Sequence, residues 1–165
     1  MSDLETTLAA TARVMTEVKF HFNVADRTDY TCRLLRKATR QGASVVVTGS
    51  AAVLARFDRD LWTFDALEFL PHVLLPAGAP VPVPTPEHLR ATRIWLSEDA
   101  GASGGRDVLV HLSANVVEPP AGFAQFARVI DIVSLDPQER LAARQRWKHY
   151  AAHGCRVSGH EAAPA

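Results

Sequence analysis

The sequence predicts an α/β domain, a mostly parallel sheet flanked by helices. Three observations predict it. Residues 18 to 62 alternate strand-like and helix-like stretches, the succession of a βαβ unit whose crossovers lie against a parallel sheet. Ala43 to Thr48 carries a β-branched run, Ser-Val-Val-Val, suited to a strand buried on both faces. A third signal is a late helix announced at both ends: Asp136 as cap, Pro137 at the first helical position, Glu139 completing a capping box, and Gly154 as the stop.

Taken in order, Val18, Phe20, Phe22 and Val24 alternate with Lys19, His21 and Asn23, a period of two that gives the first strand one buried face. Asp26 or Thr28 caps the next segment, Asp29 to Gln41, where Tyr30, Leu34, Leu35 and Ala38 recur at helical spacing before Gly42. Ser50 then caps a helix from Ala51 to Trp62. Six of the ten prolines fall between Pro71 and Pro86. That density excludes a central strand and predicts a stiff extended crossing. Arg93 to Leu96 is a short strand, Glu98 to Arg106 a glycine-containing loop, Asp107 to Leu112 a strand and Pro119 to Phe126 a short helix. Val129 to Leu135 is the last expected strand. Ser158 to Ala165, small and polar, is expected to be a flexible tail.

The chain has 165 residues, 47% of them apolar, with 18 basic and 18 acidic side chains. This length predicts one domain, able to fold without disulfide or metal staples. Net neutrality argues against a general grip on nucleic-acid phosphates, which usually demands a basic excess. The N-terminus lacks the pattern of a secretory signal, and no apolar run approaches bilayer length, so a cytoplasmic setting without a membrane partner is expected.

Little in the sequence points to reaction chemistry. Neither G-x-G-x-x-G nor G-x-x-x-x-G-K-[ST] occurs, and Thr48-Gly49-Ser50 offers one glycine at a strand-to-helix junction, which turn and cap chemistry explains equally. Cys32 lies among apolar helix neighbours and Cys155 just past a helix end, where the dipole disfavours a thiolate. His149 and His153 have the i,i+4 spacing of a metal pair, against the reading of solvated histidines; no metal and no cofactor are expected. Asp26 serves as a cap, and Asp131, between Ile130 and Ile132, is expected on the less buried face of its strand.

The helix from Pro137 carries the most unusual pattern. Arg140, Arg144 and Lys148 stand at i, i+4 and i+8 and form one row, with Trp147 and Tyr150 beside it and Arg146 on another flank. One reading is a packed terminal helix with solvated charges. The other is a basic row beside aromatic surface, suited to an acidic peptide, a terminal carboxylate or a nucleic-acid backbone. Arg33, Arg36, Lys37 and Arg40 form a second basic run, expected to be a solvated helix face.

Several ordered blocks together resemble the chi subunit of bacterial DNA polymerase III: Phe20-His21-Phe22, Cys32-Arg33-Leu34, Asp60-Leu61-Trp62, Phe69-Leu70-Pro71-His72, Val129-Ile130-Asp131, and Arg144-Gln145-Arg146-Trp147-Lys148-His149-Tyr150. They span about residues 18–157. By this resemblance residues 1–17 are an N-terminal extension, a proline-rich insertion occupies about 76–90, and 158–165 lie beyond the domain. The resemblance implies a Rossmann-like fold without a nucleotide-binding loop and a non-catalytic accessory subunit of the polymerase holoenzyme. It implies a subunit that links the clamp-loader complex, through psi, to the acidic C-terminal tail of single-stranded-DNA-binding protein, with direct DNA contact weak or indirect. By motif position the tail would be held by Trp62, Arg140, Arg144, Trp147 and Lys148, and psi would be met by Phe69 and Val133. The alternative is a nucleotide-dependent enzyme or nuclease on the same fold, and it needs a phosphate or metal loop.

Overall fold

The computed structural model describes residues 15–65, 69–76, 85–103, 106–112 and 115–162. Seven strands form one sheet: β1 (Glu17–Val24), β2 (Val45–Thr48), β3 (His72–Leu74), β4 (Ile94–Leu96), β5 (Val108–His111), β6 (Arg128–Ser134) and β7 (Arg156–Glu161). Their order is β3-β4-β2-β5-β6-β1-β7, and every neighbouring pair is parallel. The helices are α1 (Arg27–Arg40), α2 (Ala51–Thr63), the short α3 (Glu87–Ala91) and α4 (Pro137–Ala152).

This order fixes where the helices lie. The steps from β1 to β2 and from β2 to β3 run toward the β3 edge, whereas β6 to β7 runs the other way. Right-handed crossovers then place α1 and α2 on one face and α4 on the other. The core has the same division. Cys32 and Leu35 of α1, with Leu54, Phe57 and Leu61 of α2, pack on Val45, Val47, Val110 and Ile130. On the opposite face Ala143 and Tyr150 of α4 pack with Val18, Phe20, Val46 and Leu109. The valine run of β2 is therefore buried on both faces, as its composition predicts.

The local signals at the helix starts act largely as expected. Asp26 caps α1 by accepting from Asp29 N at 3.0 Å, and Ser50 caps α2 by accepting from Val53 N at 3.3 Å. Asp136 caps α4 through Gln138 N at 2.8 Å. Glu139 departs from the capping-box role, because its carboxylate is taken by Ser134 and by Arg27 across the top of the sheet.

Four expectations are corrected. Val24 does not share a face with Val18: the β1–β6 register shifts between His21 and Val24, Asn23 takes a left-handed φ of 59°, and the bulge turns Val24 to the α1 side. The proline-rich stretch contains β3, which follows Pro71 and lies at a sheet edge, where a neighbouring proline is tolerated. The short helix expected at Pro119 to Phe126 is one 3₁₀ turn, Phe123–Gln125.

The fourth concerns the chain end, where Ser158 to Glu161 are not a free tail. They belong to β7, which pairs with β1 from Glu17↔Arg156 to Phe22↔Glu161. Gly154, at φ +82°, ends α4 and turns the chain into this strand. Main-chain pairing holds β7, so its side chains need not be apolar. The expected extension at residues 1–14 and residues 77–84 of the expected insertion lie outside the described residues.

Candidate functional site

Between β6 and β7 the chain must cross β1, so α4 lies over that strand. Ala143 and Tyr150 face the sheet, and Trp147 stacks on Phe20 with ring centroids 5.1 Å apart and planes at 29°. Trp147 keeps 38% of its surface exposed. Arg140, Arg144 and Lys148 stay in solvent along the adjoining row. Between this row and the end of β1 opens a groove of about 720 Å³, floored by Phe20, Phe22 and Val133 and walled by Leu141, Arg144 and Trp147. The β1 bulge helps to build it. Asn23 hydrogen-bonds to Arg140 through its Oδ1, and its Nδ2 donates to Glu161 of β7 at 2.9 Å.

The azimuth of α4 is set by a buried ion pair. Arg146, two residues beyond Arg144 and so on the inner side, donates from Nε and Nη2 to the two carboxylate oxygens of Asp131, both at 2.8 Å. A further donation from Nη1 reaches Val116 O at 2.6 Å. Asp131 has no exposure, which corrects the expectation of a less buried face. Burial alone would push its carboxyl up. His111, whose Nδ1 lies 3.4 Å away, and Arg146 outweigh this and hold it below the usual carboxylate range.

The structure divides the expected tail site. Arg140, Arg144, Trp147 and Lys148 come together at the groove. Trp62 does not join them. It lies at the end of α2, 60% exposed, and stacks on Phe69 with centroids 4.7 Å apart. His72 of β3 completes that cluster at 5.3 Å. Five strand spacings of about 4.8 Å separate β3 from β1, so roughly 24 Å and the thickness of the sheet stand between Trp62 and Trp147. The expected psi pair divides in the same way: Phe69 is exposed beside Trp62, whereas Val133 is 2% exposed beneath the α4 groove.

The other candidates take structural places. Cys32 is fully buried, and burial pushes its thiol up to about 12. His153 turns its Nδ1 back to donate to the main-chain His149 O at 2.7 Å, so its imidazole caps the helix end. Among the described residues no group of three or more His, Cys, Asp or Glu side chains is placed to hold a metal ion. Nor is any helix of the described residues long and apolar enough to cross a membrane. Sequence reasoning missed Phe22 and Asn23 as groove residues. Their signal was a polar, turn-prone Asn at the end of an otherwise alternating strand.

A family model described as "DNA polymerase III chi subunit, HolC" matches residues 15–158. A DNA polymerase III subunit chi of Pseudomonas aeruginosa is 31% identical over 151 residues, 88% of this chain and 96% of that protein. The subunit of the same name from Haemophilus influenzae is 30% identical over 77% of this chain and 81% of its own length. That from Escherichia coli is 27% identical over 74% and 77%.

Proposed function

The chain belongs to the family of DNA polymerase III chi subunits, and on that premise we propose that it is a non-catalytic replication adaptor, joining the clamp-loader complex to single-stranded-DNA-binding protein by holding the acidic C-terminal tail of that protein. The observation that carries this reading is the α4 groove, a row of three exposed cations beside an aromatic and aliphatic floor. A tail that ends in an apolar residue preceded by carboxylates has the complementary pattern. Arg144 and Lys148 meet the carboxylates, and the Phe20–Phe22 floor takes the terminal side chain. Burying such a side chain contributes about 1.5–3 kcal/mol. Each exposed ion pair adds about 1 kcal/mol or less and is screened by salt.

Psi, and through it the clamp loader, docks in this reading on the second exposed aromatic surface, Trp62 stacked on Phe69. Trp62 thereby moves from the tail site to the psi site, and Val133 moves from the psi site to the floor of the tail groove.

Calorimetry with a peptide copying the host's tail tests the groove. Arg144→Ala should weaken binding about fivefold or more, roughly 1 kcal/mol, with an unchanged melting temperature. No binding by the wild type, or equal binding by the variant, overturns the assignment.

A further inference from the structure

Parallel sheets are ordinarily covered on both faces, yet here α1 reaches the β1 side of its face at His21, through Tyr30, and Lys19 and Ser158 beside it stay exposed. The register aligns the residues on this face in rows. Arg128, Glu17 and Arg156 stand side by side at the starts of β6, β1 and β7; two residues on come Ile130, Lys19 and Ser158, and then Ile132, His21 and His160. Lys37 of α1 overhangs them, and together they line a groove of about 550 Å³. Four cations, Lys19, Lys37, Arg128 and Arg156, thus face it against one carboxylate, Glu17, and all five are exposed. Arg156 approaches Glu17 at 3.6 Å. Among the described residues no ion pair engages Lys19, Lys37 or Arg128. By contrast, Arg33 and Arg36 of the same helix are paired with Asp29 and Asp65.

We propose that this face is a second, separate cationic surface that binds the phosphodiester backbone of single-stranded DNA. Four features favour a nucleic-acid strand over a peptide end. The cations spread across three strands instead of ringing one notch, and no aromatic pocket like that under Trp147 is present among the lining residues to seat a terminal side chain. Beside them the exposed His160 ring, its centroid 5.1 Å from that of the buried His21, is a flat surface on which a base can rest. Burial, His160 and Lys19 lower His21 to about 4, so the ring beneath His160 stays neutral at ordinary pH. Finally, the face shares the β7 edge with the Arg140–Arg144–Lys148 row on the opposite side of the sheet. One end of a chain with zero formal charge is basic on both faces, a field that attracts a long polyanion locally while the whole molecule does not.

The surface is independent of the α4 groove, and the two can be tested separately. Fluorescence anisotropy with a labelled oligothymidylate of about 20 nucleotides at low salt should register binding by the full chain that weakens steeply as salt rises. The double charge reversal Lys19→Glu/Arg128→Glu should reduce affinity about tenfold or more and flatten the salt dependence, with circular dichroism unchanged. Arg144→Ala, which removes a cation from the other face, should change oligonucleotide affinity by less than about twofold. No binding at low salt overturns the proposal. So does a loss in Arg144→Ala as large as in the double reversal, or a polyglutamate peptide that binds this face when the oligonucleotide does not.

Discussion

Asp131 and Arg146 are the side chains on which the orientation of α4 turns. A carboxylate with no exposure is tolerable only because Arg146 meets both its oxygens at 2.8 Å and His111 lies against it. Removing Arg146 alone leaves that buried charge with only His111 beside it, which costs about 3–5 kcal/mol; replacing both partners by apolar groups avoids the penalty. Arg146→Met should therefore lower the unfolding free energy by about that amount, and Asp131→Leu/Arg146→Met should recover most of it. Urea unfolding of both variants measures this, and a single-variant loss below about 1 kcal/mol would exclude the pair as the anchor of α4. The sequence holds half of this. Arg146 stands two residues from Arg144 and so cannot share its row, which is legible. The burial of Asp131 is not, because alternation between two isoleucines says which face a residue takes and nothing of a partner waiting there.

At the scale of elements, legibility follows what stabilises each one. β2 is plain in the sequence because burial on two faces demands an unbroken apolar run, and α1, α2 and α4 are plain because Asp26, Ser50 and Asp136 cap them. β7 is hidden because its stability comes from main-chain pairing with β1 and from one closely packed glycine. A Cβ on Gly159 would lie 3.2 Å from Phe22 Cε1 and 3.7 Å from the Trp147 ring, so this strand supports the groove floor from below. Gly159→Val should force the Phe22 ring to shift, costing about 1 kcal/mol of stability by overpacking. The same variant should weaken tail-peptide binding severalfold, although it removes no group that touches the tail. Calorimetry and thermal unfolding read the two effects. Unchanged affinity would mean that the Phe22 floor plays no part in binding.

Across the whole molecule, the candidate residues were recognisable one by one, but their grouping was not. Trp62 and Trp147 belong to blocks of one resemblance, and nothing in the linear order says that α2 and α4 lie on opposite faces near opposite edges. Topology says it, through the direction of each crossover, and the result is a sheet with one exposed aromatic surface at the β3 end and a basic groove over β1. An adaptor needs such separation, since two partners can be held together only if neither covers the other's site. Sites about 24 Å apart with no shared contacts should be energetically independent to within about 0.5 kcal/mol. Trp62→Ala should thus leave tail-peptide affinity within about twofold of wild type, and Trp62→Ala/Arg144→Ala should bind the tail no more weakly than Arg144→Ala alone. In the complementary measurement, psi should lose affinity for Trp62→Ala and keep it for Arg144→Ala. A tail affinity that fell with Trp62→Ala would return this residue to the tail site or require coupling through the sheet, and would sink the two-ended adaptor.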